Sequence, residues 1–109
     1  MALASDTPIE IFKGDSSDVF GIKVDTSITS DGNCVCRLAV MPKLGNTPII
    51  LKELDLASTG TEFTGFIDPD ESDQLEVGSY FLVFEIHNPV KKFRREKHFK
   101  LKVLQQGVV

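Results

Sequence analysis

The run Asp68-Pro69-Asp70-Glu71-Ser72-Asp73 sets side-chain oxygens at close intervals, as a hard cation such as calcium requires. The rest of a calcium loop is missing. The sixth place holds Asp73 rather than glycine, and the twelfth holds Ser79 rather than glutamate. An Asp- and Ser-rich turn stiffened by Pro69 accounts for the same residues without a metal. Cys34, Cys36, His87 and His98 are zinc-type ligands, and pairing of the third and sixth strands would bring Cys34 near His87. His98 lies too far along the seventh strand to complete a four-ligand set. Neither histidine stands beside a Ser or Cys as a base beside its nucleophile. Gly14-Asp15-Ser16-Ser17 lacks the GxxxxGK[ST] pattern of a phosphate loop. The sequence therefore assigns no catalytic residue, no cofactor and no metal, and the expectation is a protein that is not an enzyme.

What remains is charge. Of the twelve basic residues, seven lie in Lys91–Lys102, where only Glu96 opposes them. The rest of the chain holds five basic and fifteen acidic residues, and five of those acids crowd into Asp68–Glu76. Lys91, Lys92, Arg94, Arg95 and Lys97 form a basic candidate contact surface. Asp68, Asp70, Glu71 and Asp73 form an acidic one. The basic cluster could grip phosphates or meet an acidic protein. It could equally be a solvated strand edge on which lysine discourages unwanted pairing. The net charge of −4 argues against nucleic acid. A self-complementary use is open, with the acidic turn of one copy meeting the basic strand of the next in a ring.

These charges sit on a chain of 109 residues, the size of one domain. No apolar run approaches the ~18 residues of a membrane span. Met1–Asp6 has neither the basic start nor the apolar stretch of a secretory signal. Cys34 and Cys36 share one face of a strand, about 7 Å apart, too far for an unstrained disulfide. Free thiols made in a reducing compartment are expected.

Seven strands are expected: Ile9–Phe12, Val19–Asp25, Cys34–Met41, Ile49–Leu54, Phe63–Ile67, Tyr80–His87 and Phe93–Leu104. Val19–Asp25 alternates apolar and polar residues, the third strand is apolar on both faces as a central strand would be, and the strands are bounded by Gly, Pro and Asn turns. No window keeps a helical period, though Ser58–Thr61 and Asp70–Leu75 can each form a helical turn. The pattern points to an all-β fold, an antiparallel immunoglobulin-like sandwich of about seven strands. That domain would occupy residues 9–104, between a flexible N-terminus at 1–8 and a flexible tail at 105–109. Its core would be Phe20, Ile22, Val24, Leu38, Val40, Ile50, Leu54, Phe63, Ile67, Leu82, Phe84, Ile86, Phe99, Leu101 and Val103.

Two segments carry a resemblance. Ile11-Phe12-Lys13-Gly14-Asp15-Ser16 resembles the F-x-G-D-T/S opening of small immunoglobulin-like structural proteins of tailed phages and prophages. Phe63–Ile67, Asp70–Leu75 and Val77-Gly78-Ser79-Tyr80 resemble their F-x-h-x-L-x-x-x-D/E-T-x-x-L-x-x-G-x-Y signature, as found in the N-terminal domain of phage baseplate upper proteins. The chain departs from that pattern in Ser72, where threonine is usual, and in its basic last strand. The residues concerned have structural explanations. Gly78 permits a tight entry to a strand. Tyr80 can seal the core and bond a loop, as in a tyrosine corner. Asp70, Ser72 and Asp73 can cap the turn.

The resemblance implies a structural or assembly protein of a tail, baseplate or head–tail connector, acting by protein–protein contact. Its partners would be other virion proteins or further copies of itself, with no membrane. It would be found in the host cytoplasm during assembly and then in the virion. The alternatives are a generic immunoglobulin-like binding module and a small nucleic-acid-binding protein using the hairpin 91–102.

Overall fold

Strand alternation and turn chemistry shape nearly the whole chain. The computed structural model describes residues 8–105, so the ends expected to be flexible lie, but for residues 8 and 105, outside the described residues. The strands are β1 (Ile9–Phe12), β2 (Phe20–Lys23), β3 (Val35–Met41), β4 (Ile50–Leu56), β5 (Glu62–Gly65), β6 (Gly78–Asn88) and β7 (Phe93–Leu104). Two short helices, α1 (Thr26–Thr29) and α2 (Pro69–Asp73), lie in the connections after β2 and β5.

The strands form one sheet in the order β1-β7-β6-β3-β4-β5-β2, curled into a half-barrel. All-β is therefore the fold class. The expectation of a wholly antiparallel arrangement is corrected at β1, which runs parallel to β7 with Ile9 opposite Leu101 and Phe12 opposite Leu104. The residue pattern of so short a strand does not encode its direction. The remaining pairs are antiparallel.

Burial follows the side-chain period of two. On β7, Leu101 and Val103 are buried and Phe99 half-buried, while Lys100 and Lys102 are exposed. On β3, a central strand, Cys36, Leu38 and Val40 face the main core, while Ala39 and Met41 join Val83 in a second small cluster. Leu38 lies opposite Phe84, and Leu82 opposite Phe99. The curl brings the far end of the sheet over its middle. The Phe20 ring on β2 meets Phe84 on β6 edge-on, with centroids 5.4 Å apart, and Phe84 meets Phe99 at 5.8 Å.

Twelve of the fifteen expected core residues are buried; Phe20, Val24 and Phe99 are half-buried against the cluster. Ile11, Cys34, Cys36, Leu75 and Tyr80 complete it. The helical turn expected at Ser58–Thr61 is only a tight turn, closed by Gly60 N–H donating to the Ala57 carbonyl at 2.9 Å. The one expected at Asp70–Leu75 is α2, shifted to start at Pro69. Helix α1 was not signalled by any period, since four residues make only one turn. Its local cue is Asp25, which caps it by accepting from Ser27 N–H at 2.9 Å.

Candidate functional site

The acidic segment is first of all a joint. Asp68 is the N-cap of α2: its carboxylate accepts from Glu71 N–H at 2.8 Å, and the Glu71 carboxylate accepts from Asp68 N–H at 2.9 Å. This reciprocal pair is a capping box. Pro69 occupies the first turn, where a missing N–H costs nothing. Lys52 of β4 then reaches Glu71 at 2.9 Å and the Phe66 carbonyl at 2.8 Å. Asp68 and Glu71, expected as contact residues, thus have intramolecular work. Asp70 and Asp73 remain exposed.

Ser72 is wholly buried. Its hydroxyl donates to the Asp15 carbonyl at 2.6 Å and accepts from Gly14 N–H at 3.0 Å. Lys13 Nζ donates to the carbonyls of Asp73 and Leu75, the latter at 2.9 Å. Ser17 adds a second tie, its hydroxyl accepting from Ile67 N–H at 2.9 Å. The two sequence segments that carried the resemblance therefore bind each other. Lys13, Gly14 and Asp15 clasp the helix that holds Ser72, and β6 begins just beyond it.

Gly78 has φ 154°, a conformation side chains disfavour, at the start of β6. Tyr80 is buried, and its hydroxyl donates to the Glu76 carbonyl at 2.7 Å, four residues upstream.

The basic residues lie at and beyond the other end of β6, an eleven-residue strand that spans roughly 35 Å. Asn88 organises this end. It is wholly buried; its amide donates to the Ile28 carbonyl at 2.8 Å and to Asp31 at 3.0 Å. Its own carbonyl accepts from Val90 N–H and Lys91 N–H at 3.1 and 3.2 Å. The hairpin turn is thereby fastened to α1, and Lys91 Nζ adds a bond to the Ser27 carbonyl. Lys92 takes the turn position with φ 51°.

The outer face of the hairpin is largely neutralised. Glu85 and Glu96 stand opposite each other across β6 and β7, and Arg94 bonds both, Glu85 at 2.8 Å. His98 bonds Glu96 at 2.9 Å. That bond, then Arg94, holds the Glu96 carboxyl below its usual range. Arg95 lies over the Phe93 ring at 5.3 Å on the inner face. Among the described residues, Lys92, Arg95 and Lys97 have no carboxylate partner. The sequence counted seven cations against one acid in this segment; Glu85 escaped notice because it lies on the neighbouring strand.

Beside the hairpin opens a cleft of about 600 Å³. Its apolar floor is Val24, Ile28, Ile86 and Phe93, and Lys23, Asp25, Glu62 and Arg95 stand at its walls. Nothing in the sequence pointed to it, because its walls come from β2, β5, β6 and β7 and meet only through the curl.

The pairing expected for a zinc site does occur in part: His87 lies opposite Val35, next to Cys34. No cluster of three or more His, Cys, Asp or Glu side chains among the described residues could hold a metal. Both cysteines are free and buried. Burial raises the Cys34 thiol above its usual range and pushes Cys36 up to about 12. Since the thiolate is the reactive form, Cys36 resists alkylation. Native protein at pH 8 is expected to react with iodoacetamide slowly, Cys34 before Cys36, and both at the rate of a free thiol in urea. Peptide-resolved mass spectrometry measures the order; faster labelling at Cys36 would contradict it.

No protein-family model matches the chain, and neither does any curated protein. No described helix is long and apolar enough to cross a membrane.

Proposed function

We propose that the chain is a non-enzymatic structural or assembly module that works by protein–protein contact, of the kind tailed phages and prophages build into a tail, baseplate or head–tail connector. The finer fold reading is an immunoglobulin-like sandwich. In its support, β3, β6 and β7 are neighbours, β2 and β5 are neighbours, and β2 packs across on β6 through Phe20 and Phe84. The phage reading is supported by the resemblance and by the mutual clasp of its two segments, which makes both a requirement of folding.

The observation that carries the contact reading is the placement of the unspent charges. Asp70 and Asp73 are exposed at the end where β6 begins; Lys92, Arg95 and Lys97 lie at the far end or along the strand leaving it. Lys97 lies opposite Phe84 in mid-strand, and Lys100 and Lys102 lie nearer the acidic end, so the contrast is between an acidic patch at one end and a basic strand. Separate patches of opposite charge fit head-to-tail association, which closes into a ring or extends as a fibre.

The test is light scattering behind size exclusion at ~50 mM and at ~500 mM salt, since exposed charges are screened beyond ~10 Å at the middle of this range. Wild-type protein is expected to form an oligomer at low salt and a monomer at high salt. Each of the pairs Asp70→Lys with Asp73→Lys, and Lys92→Glu with Lys97→Glu, should give a monomer alone. Mixed, they should associate with each other. A strict monomer of wild type at both salts would sink self-assembly.

A further inference from the structure

β1 pairs with β7 only from Leu101 to Leu104. The eight residues before that, Phe93–Lys100, are paired on one side by β6 and on the other by nothing among the described residues. The direction of their backbone groups is fixed. Lys13 N–H, at the end of β1, donates to the Leu104 carbonyl at 2.9 Å, so even-numbered residues of β7 turn their N–H and C=O toward this edge. Arg94, Glu96, His98 and Lys100 therefore present a row of backbone donors and acceptors, about 25 Å long, that no strand among the described residues pairs. The side chains on the two faces of that row differ. Outward, Arg94 and His98 already have acidic partners, while Lys100 has none among the described residues. Inward, Arg95 and Lys97 have none, and they are flanked by the half-buried rings of Phe93 and Phe99. The cleft opens alongside, at Phe93 and Arg95.

We propose that the Phe93–Lys100 edge is a strand-addition site for an extended acidic segment of a partner protein. The segment would pair its backbone with Arg94, Glu96, His98 and Lys100. Side chains alternate between faces, so the inward code is apolar–acidic–acidic–apolar at every second position, opposite Phe93, Arg95, Lys97 and Phe99. A second copy of β7 does not fit: it would set these cations against their like. The inference shares the docking reading above but not self-assembly. A strict monomer removes the ring and leaves this edge intact.

The probe is the capped peptide Val-Thr-Glu-Thr-Glu-Thr-Val, titrated into the full chain and followed by amide NMR at ~50 mM salt. Saturable binding is expected, with slowed amide exchange at Arg94, Glu96, His98 and Lys100 and little change at the odd-numbered residues between them. Methylating those peptide amides that face the edge should abolish binding; methylating the alternate amides should not. Arg95→Glu with Lys97→Glu should weaken it at least tenfold with the native spectrum retained. A peptide with Lys for Glu is the charge control. Three outcomes would each overturn the proposal: no saturation at millimolar peptide, protection without alternation, or equal loss from both methylation patterns. Tighter binding of a single-stranded oligonucleotide to the same residues would overturn it in favour of nucleic acid.

Discussion

Phe84→Ala is expected to lower the unfolding free energy by ~3–5 kcal/mol, the usual range for emptying a fully buried phenylalanine site. Only 1 % of Phe84 is exposed. It lies at the centre of β6, opposite Leu38 on one neighbour and Lys97 on the other, and under Phe20 from the far end of the sheet. It is thus the residue through which the curl closes. Alanine removes the transfer energy of the ring and both edge-to-face contacts, which are worth roughly 0.5–1.5 kcal/mol each beyond area. Domains of this size hold about 5–15 kcal/mol in all, so the melting temperature should fall by more than ~10 °C. Phe84→Leu keeps most of the volume and should cost less than half as much. Urea unfolding of the three proteins measures this. A cost under ~1 kcal/mol for Phe84→Ala would mean that Phe20 does not pack over β6, and the half-barrel would be opened out.

Phe84 was legible in the sequence because it belongs to a long apolar strand on which Tyr80, Leu82, Phe84 and Ile86 share one face at period two. Period two survives any arrangement of neighbours, so strand positions and core faces were readable before the sheet order was. The sheet order was less readable. Ile9–Phe12 reads as a strand, but nothing in four residues says that it runs parallel to a strand ninety residues away. The candidate site was readable in charge and not in geometry. The counts located a basic segment and an acidic one. They did not show that Asp68 and Glu71 are bound up in a helix cap, or that Glu85 quenches Arg94 across a strand pair. The edge of β7 that no described strand pairs is legible only once β1 is seen to begin opposite Leu101. In sequence Asn88-Pro89 reads only as a turn after the sixth strand, and this is the larger omission. A buried asparagine looks like any turn asparagine in sequence; what distinguishes it is the approach of α1, a tertiary event.

Asn88→Ala tests that tertiary role and should cost ~2–4 kcal/mol. The substitution strips partners from the Ile28 carbonyl, from Asp31 and from Val90 and Lys91 N–H. Each buried group left unpaired costs roughly 1–3 kcal/mol, less where water can reach it, as it can at Asp31 and Lys91. Amide exchange should quicken from Val90 to Phe93 before it does in β3. Asn88→Asp separates the two halves of the role. It keeps an acceptor for Val90 and Lys91, loses the donor, and sets a second carboxylate against Asp31. In wild type, Asp31 is held below its usual range, first by Asn33 N–H and also by the Asn88 amide. A carboxyl depressed in the folded state adds stability above its unfolded value near 3.8, and that contribution fades as pH falls through the lower folded value. Wild type should therefore lose stability on acidification below about pH 4. Asn88→Asp should instead gain stability relative to wild type as the pH drops from 7 toward 4, because protonating one of the paired carboxyls relieves their repulsion and restores a donor. Denaturant melts across that range measure the two slopes. Parallel slopes would mean that Asn88 and Asp31 do not meet, and that the basic hairpin is held to α1 by something other than this side chain.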